Sequence, residues 1–137
     1  MTKIEQITDK LWQNDVFSQW LGLKIDTVTE GACRLHFTVR PDMLNGFKTV
    51  HGGILFSAAD SAFGFACNSH GRISVALDVS MTFTKSANVG EVLSVEAKEV
   101  HLGNKTSVYD VVIRNEHAAI VAVFKGTAYR TSKNVLD

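Results

Sequence analysis

The residues best suited to chemistry lie between positions 43 and 71, in the stretch MLNGFKTVHGGILFSAADSAFGFACNSHG. His51-Gly52-Gly53 leads there into a long apolar segment that contains a single acid, Asp60. Glycines allow close backbone approach, and the first amides of a helix have no partner within it. Such amides can polarise a carbonyl oxygen, while a carboxylate can act as a base. A polarising donor set and a carboxylate therefore occur within one predicted helix, which outlines a site.

The segment after the glycines has the spacing of an amphipathic helix with a broad apolar face. Small or polar residues recur at three- and four-residue steps as one narrow stripe, namely Ser57, Asp60, Ser61, Gly64 and Asn68. A freely solvated stripe usually carries long charged side chains, so this stripe indicates that a ligand or another protein surface packs against it. The alternatives are that Asp60 is an ordinary polar residue on a wet helix face, and that His51 is a loop residue bonded to a backbone carbonyl.

The composition is that of a single domain covering residues 1–137, with 14 Lys and Arg balanced by 14 Asp and Glu. This balance argues against a dedicated nucleic-acid binder or a polybasic membrane surface. The N-terminus is charged and lacks a signal-peptide core, and no apolar run reaches the ~20 residues that span a bilayer. We therefore expect a cytoplasmic protein. Cys33 and Cys67 are expected to be buried free thiols, and the histidines show no metal-ligand spacing, so no metal or cofactor is predicted.

Hydrophobic periodicity predicts an α+β chain in the order helix, two strands, long helix, four strands. The first helix covers residues 2–20 with Thr2 as its N-cap. The strands are expected at 23–29, 32–40, 74–84, 92–100, 106–114 and 118–131. The strand at 74–84 is expected to place Val75, Leu77, Val79, Met81 and Phe83 on one face. The continuously apolar run 118–124 predicts a central strand covered on both faces.

Several of these residues resemble the signature of the hotdog-fold acyl-CoA thioesterases, and within them the phenylacetate-pathway (PaaI) subgroup. The resemblance is carried by Asn45-Gly46, His51-Gly52-Gly53, Ala59-Asp60 and Ala66-Cys67-Asn68, and it extends to Leu21-Gly22, Asp78 through Phe83, Gly90-Glu91, Gly103 and Val108-Tyr109-Asp110. It implies an antiparallel sheet of five to six strands wrapped around one long central helix, plus an N-terminal helix. It also implies a homodimer as the minimum active unit, with the 74–84 strand at the seam, and a homotetramer.

The same resemblance implies hydrolysis of an acyl-CoA thioester, in particular phenylacetyl- or hydroxyphenylacetyl-CoA. Asp60 would act as general base or nucleophile, and the Gly53 N–H would polarise the thioester carbonyl. Asn45, His51 and Gly53 would come from the opposite subunit. From the sequence alone, Asn45 is equally well a residue of an Asn-Gly turn.

Three further residues are candidates for substrate contacts. Ser61 follows Asp60 and is suited to positioning water, or to packing the helix. Lys85 and Lys105 are candidates to hold the phosphates of coenzyme A, or are ordinary solvated lysines. Ser86 stands where related proteins often carry a proline. The resemblance therefore predicts neither the conformation of the loop around Lys85 nor the contact that Lys85 makes. Three aromatic residues are candidates to line an aryl pocket or to fill the core, namely Phe47, Phe56 and Phe63.

Two other functions compete with hydrolysis. Hotdog domains also serve as non-catalytic acyl-CoA-binding or sensing modules, although those usually carry an attached domain for which this chain has no room. A hotdog dehydratase would place a catalytic Asp and His close together ahead of the helix, a spacing that this chain lacks.

Overall fold

The computed structural model describes residues 1–137 as three α-helices, one short 3₁₀ turn and six strands. The helices are α1 (Lys3–Asn14), α2 (Val16–Leu21) and α3 (Gly52–Asn68), and the 3₁₀ turn is Pro41–Met43. The strands are β1 (Lys24–Thr29), β2 (Ala32–Thr38), β3 (Arg72–Phe83), β4 (Val92–Leu102), β5 (Thr106–Arg114) and β6 (Ile120–Asn134). They form one antiparallel sheet in the order β1-β2-β4-β5-β6-β3. The α+β class is confirmed, with six strands around one long helix.

The central helix α3 is held by apolar burial against one face of the sheet. Alternate residues of β2 and β4, such as Leu35, Phe37 and Val95, point at it and are essentially inaccessible. Small side chains on the helix, including Ala58, Ala59 and Ala62, allow this close approach and are themselves fully buried. Full burial of a Leu or Phe side chain stabilises a fold by roughly 1.5–3 kcal/mol, so this contact dominates the stability of the structure.

Gly126 on β6 permits the tightest helix–sheet contact. The ring of Phe63 in α3 lies directly over it, edge-on to Tyr109 with centroids 5.7 Å apart and also 5.7 Å from the ring of Phe124. A Cβ at Gly126 would lie 2.8 Å from Phe63 Cε1 and 3.0 Å from Phe124 Cε1. Two rigid rings therefore occupy the space that any other residue would need.

The N-terminal region forms two helices where the sequence pattern predicted one helix over residues 2–20. The predicted N-cap at Thr2 is confirmed, and Glu5 completes a capping box with N–H···O distances of 3.1 and 3.2 Å. The chain leaves helical geometry at Asp15, where φ is −92° and ψ is 73°, and Asp15 then caps α2 by accepting from the Ser18 amide. Asp side chains compete with the helical backbone for such bonds, which explains the break.

The predicted single apolar face of the 74–84 strand is wrong because β3 contains a bulge. The register with β6 shifts between Ala76 and Asp78, so Val75 lies opposite Tyr129 while Val79 lies opposite Gly126. One extra residue reverses which side chains face the helix. Val75 therefore points away from α3 and is 52% exposed, and Leu77 in the bulge is 62% exposed. The predicted edge position of this strand is confirmed, since β3 pairs only with β6.

The other differences from the sequence expectation lie at strand ends. β6 begins at Ile120 rather than 118, because Ala118 has a φ of 63° in a turn closed by the Asn115 side chain. β6 lies between β5 and β3, so its interior position is confirmed, but Ile120 is 39% exposed and the outer face is uncovered within the chain. Cys33 and Cys67 are free and buried, as predicted. None of the helices combines the length and the apolar character required to cross a membrane.

We expect Gly126→Ala to lower the free energy of unfolding by roughly 1–3 kcal/mol, because the new methyl group overpacks the Phe63 and Phe124 rings. Gly64→Ala is the matched control, since a Cβ there meets nothing within 4 Å. In a helix interior this control should be neutral or stabilising by up to about 1 kcal/mol. Urea unfolding of both variants measures the difference. Equal stability of the two would contradict the proposed tight contact.

Candidate active site

Asp60 lies in the middle of α3, on the wall of a cavity of about 570 Å³ between α3, the two N-terminal helices and the start of β3. The apolar lining consists of Leu11, Phe17, Phe65, Ile73 and Val135. The carboxyl group is partly buried in these surroundings. The residues Asp60, Ser61, Gly64 and Asn68 of the sequence stripe therefore line a cavity, and the N-terminal helices form its opposite wall.

The surroundings of Asp60 make its carboxylate more basic than an exposed one. Burial raises the pKa of Asp60, and the nearby negative charge of Asp15 raises it further. Both effects disfavour the ionised form, which makes the carboxylate a better proton acceptor. A buried acid with a raised pKa in a cavity is typical of a functional site.

Ser61 lines the same cavity, and its hydroxyl is bonded across to α2. Its Oγ lies 2.8 Å from Ser18 Oγ, and Ser18 Oγ donates to Asp15 Oδ2 at 2.6 Å. Ser18 is fully buried. Sequence reasoning missed Asp15 and Ser18 as parts of this region. The available signal was an Asp three residues ahead of a Ser, the spacing of an N-cap.

His51 is the N-cap of α3, and this corrects the expectation that the Gly53 amide is unpaired. The Gly53 N–H donates to His51 Nδ1 at 2.8 Å. An imidazole that accepts at Nδ1 carries its proton on Nε2, so His51 in this state is a neutral ring with an exposed Nε2–H donor. The Gly53 amide, which was predicted to polarise a carbonyl oxygen, is therefore paired with the His51 ring.

Asn45 acts as a turn residue through one half of its side chain. Its Oδ1 accepts from the amides of Phe47 and Thr49 at 2.8 and 3.2 Å, while its Nδ2 makes no hydrogen bond within the chain. Asn45 and Lys85 line a second cleft of about 450 Å³ beside the start of α3. Asn45 is therefore a turn residue through its Oδ1. Its Nδ2–H group has no partner within the chain and can donate to a ligand.

A single chain does not bring the predicted residues together. Asp60 and Gly53 are seven residues apart in α3, which is nearly two turns and ~10 Å along the helix axis. Lys105 lies in the β4–β5 turn, where its carbonyl accepts from the Arg130 amide at 2.8 Å. This turn is near the start of β3, whereas Lys85 follows the end of that 12-residue strand, ~40 Å away along it. The residues form one group around the start of α3, one group in its middle and one in a distant turn.

The three aromatic candidates for an aryl pocket or the core do not line the Asp60 cavity. Phe63 is in the core, Phe56 packs on Phe124 with centroids 5.8 Å apart, and Phe47 is 89% exposed. Phe17 and Phe65 line the cavity instead. No three His, Cys, Asp or Glu side chains lie close enough together to hold a metal ion.

Comparison with known proteins identifies the family. The profile of the thioesterase superfamily matches residues 47–122. This chain belongs to the thioesterase superfamily. It is 38% identical over 128 residues to the acyl-coenzyme A thioesterase PaaI of Escherichia coli K12, covering 93% of this chain and 91% of that protein.

Two solved structures of this family extend the comparison. The E. coli PaaI protein, from the phenylacetic acid degradation operon, superposes with a TM-score of 0.94 at 37% identity over 96% of both chains. A hypothetical thioesterase protein from Streptococcus pneumoniae TIGR4, determined with coenzyme A, gives a TM-score of 0.79 at 28% identity over 82% of this chain and 90% of that one. The hotdog fold and the resemblance to the PaaI subgroup are confirmed, and with them the prediction of a thioester-hydrolysing enzyme.

We expect Asp60→Asn to raise the free energy of unfolding at pH 7. The pKa of Asp60 is raised in the folded chain, so folding favours its protonated form and loses stability as pH rises through that pKa. The gain in the variant should therefore be largest above the folded pKa. It should vanish at low pH, below the ordinary carboxyl value of 3.8. Urea unfolding across pH 3–8 measures it.

Asp9→Asn is the control for this experiment, because Asp9 is an exposed acid on α1. A stability gain that is equal in both variants, or independent of pH, would contradict the strained burial of Asp60.

Proposed function

We propose that this chain hydrolyses acyl-CoA thioesters to the free acid and coenzyme A, with Asp60 as the base. The observation that carries the proposal is the partly buried Asp60 carboxylate, made more basic by its surroundings, on the wall of an apolar-lined cavity. Membership of the thioesterase superfamily supports it, as do the name of the E. coli relative and the coenzyme A in the S. pneumoniae structure.

The chemistry follows from the reaction's charge changes. Asp60 removes a proton from water, the oxygen attacks the thioester carbon, and negative charge develops on the former carbonyl oxygen. Collapse of that intermediate breaks the C–S bond, and the proton held by Asp60 passes to the departing thiolate. In the alternative, the Asp60 carboxylate attacks the carbon directly and water then hydrolyses the resulting anhydride.

The developing oxyanion needs donors, and these lie at the start of α3. His51 Nε2–H and Asn45 Nδ2–H are unpaired donors there, and the Gly53 N–H becomes a third when the His51 ring turns away. A substrate oxygen would then replace Nδ1 as the acceptor of the Gly53 amide. Loss of one such donor typically lowers turnover ~100- to 1,000-fold.

The distance between these donors and Asp60 supports a homodimer as the active unit. Antiparallel pairing of two β3 edges would set two α3 helices side by side in opposite directions. The start of one α3 would then face the middle of the other, closing the ~10 Å gap within one chain. The unpaired backbone edge of β3 would then find partners in its copy. Assembly of such dimers into a homotetramer stays a prediction.

The same pairing would unite the two basic candidates. The start of one β3, near Lys105, would meet the end of the other β3, near Lys85. Both lysines would then be available to the phosphates of one coenzyme A, although a single chain holds them far apart.

The lining of the Asp60 cavity supports an apolar acyl group. Phe17 and Phe65 offer aromatic faces beside the carboxylate, together with the aliphatic Leu11 and Ile73. Such a lining suits an aryl-acetyl chain through edge and stacking contacts. Phenylacetyl- and hydroxyphenylacetyl-CoA are therefore the proposed substrates.

We expect Asp60→Asn to lower kcat for phenylacetyl-CoA by ~100- to 10,000-fold, because the amide cannot accept the proton from water. Free-thiol release across a panel of acyl-CoA thioesters measures the effect. Asp110→Asn is the matched control, since Asp110 is an exposed acid on β5 near Lys125. Wild-type turnover in Asp60→Asn would show that another group is the base. Tight binding of acyl-CoA without any hydrolysis by the unchanged protein would favour the sensing module instead.

We expect Lys85→Ala and Lys105→Ala each to raise KM for a coenzyme A thioester about tenfold with little change in kcat. Each variant removes one phosphate contact that is made equally in the bound ground state and in the transition state. The N-acetylcysteamine thioester of the same acid has no phosphates, so its KM should be unchanged in both variants. Lys48→Ala is the control for net charge. An equal effect on both thioesters would contradict a phosphate contact.

A further inference from the structure

A chain of three side chains links the corner between α1 and α2 to the helix that carries Asp60. Asp15 caps α2 through Oδ1, which accepts from the Ser18 amide at 3.0 Å. Its other oxygen, Oδ2, accepts from Ser18 Oγ at 2.6 Å, and Ser18 Oγ lies 2.8 Å from Ser61 Oγ. Ser18 is fully buried, so the link is shielded from water. None of the reaction steps above uses Asp15 or Ser18.

The direction of this chain is fixed by the chemistry of its end. An ionised carboxylate only accepts hydrogen bonds, so the Ser18 hydroxyl donates its one hydrogen bond to Asp15. In the bond between the two serines, Ser61 is then the donor and Ser18 Oγ is the acceptor. Ser61 consequently offers only lone pairs to the cavity. A water molecule there can donate to Ser61, as it can to Asp60, but cannot accept from Ser61.

The chain also fixes where a second negative charge lies. Asp15 and Asp60 line the same cavity, and the charge of Asp15 acts on the Asp60 carboxylate. Lys10, from α1, is the other charged side chain in the lining. α3 and the start of β3 contribute no further charge there, and burial raises the pKa of the nearby Cys67 thiol to about 12, so it stays neutral. Asp15 is thus the one additional anion held beside Asp60.

We propose that Asp15 is a positioning residue of the hydrolase, acting through Ser18 and Ser61 to hold the attacking water as a donor and to keep Asp60 a strong base. The inference rests on the proposed function of the Asp60 cavity. It adds a role for the α1–α2 corner, which carries no group that touches the thioester carbon. Two properties of one carboxylate, its hydrogen-bond direction and its charge, serve the same proton transfer.

Asp15→Asn tests both properties while retaining the cap of α2, because Asn is as good an N-cap as Asp. The Asn Nδ2–H would donate to Ser18, Ser18 would donate to Ser61, and the Ser61 proton would turn into the cavity. The charge beside Asp60 disappears at the same time. Asp9→Asn is the matched control, because it removes an exposed charge from α1 and leaves the hydrogen bonds between Asp15, Ser18 and Ser61 intact. Asp15→Ser, which also caps, is the second variant if Asp15→Asn folds poorly.

The first readout is the titration of the Asp60 carboxyl carbon by NMR, which needs no turnover. Its midpoint should fall in Asp15→Asn and stay at the wild-type value in Asp9→Asn. The second readout is kcat/KM against pH, which reports the pKa values of the free enzyme. Its acid limb should move to lower pH in Asp15→Asn by the same interval as the NMR midpoint. The plateau should drop roughly 3- to 10-fold, because the base is weaker and the water is held less well.

An unmoved NMR midpoint and acid limb in Asp15→Asn would overturn the role of Asp15, even where Asp60→Asn abolishes turnover. A plateau loss without either shift would also overturn it, since a purely structural defect gives that result. If Asp60→Asn itself retains wild-type turnover, the proposed base is wrong and the positioning role falls with it. The two failures are therefore distinguishable in one set of variants.

Discussion

The burial of a carboxylate on the central helix constrains the rest of this structure. α3 must pack closely on the sheet, and its small residues together with Gly126 allow Phe63 to lie against β6. The opposite side of the same helix carries Asp60 into a cavity, where burial disfavours its charge. The sheet contact provides the stability that makes this unfavourable burial tolerable. Stability and a basic carboxylate are thus combined on two sides of one helix.

The helix also sets a distance that one chain cannot close. The donors at its start and the acid at its middle are separated by nearly two turns, and α-helices do not shorten. In the proposed homodimer, two antiparallel α3 helices would resolve this, and the unpaired edge of β3 offers a surface for such an arrangement. The same arrangement would bring together Lys85 and Lys105, which lie near opposite ends of β3 within a chain. A site divided between subunits, as proposed, would make assembly a condition of activity.

The N-terminal helices do more than cover the core. α1 and α2 meet at Asp15, and this corner supplies cavity walls, a charge and a hydrogen-bonded link to α3. The Asp15 carboxylate caps α2 at this corner, and the charge of the same carboxylate acts on Asp60. Apolar residues of this region, Leu11 and Phe17, line the same cavity and would suit an apolar acyl group.

Local patterns in the sequence determined the element order, the buried face of α3, the cap at Thr2 and the residues His51, Gly53 and Asp60 as one helical group, because each depends on spacing within a few turns. The bulge at Leu77 depends on pairing with β6, and the break at Asp15 depends on a side-chain bond that competes with the helix, so periodicity predicted neither. Only the tertiary structure decided that His51 accepts a hydrogen bond from the Gly53 amide and that Ser18 is hydrogen-bonded to both Asp15 and Ser61. These contacts follow from side-chain rotamers and from packing between distant segments, which no spacing along the chain encodes.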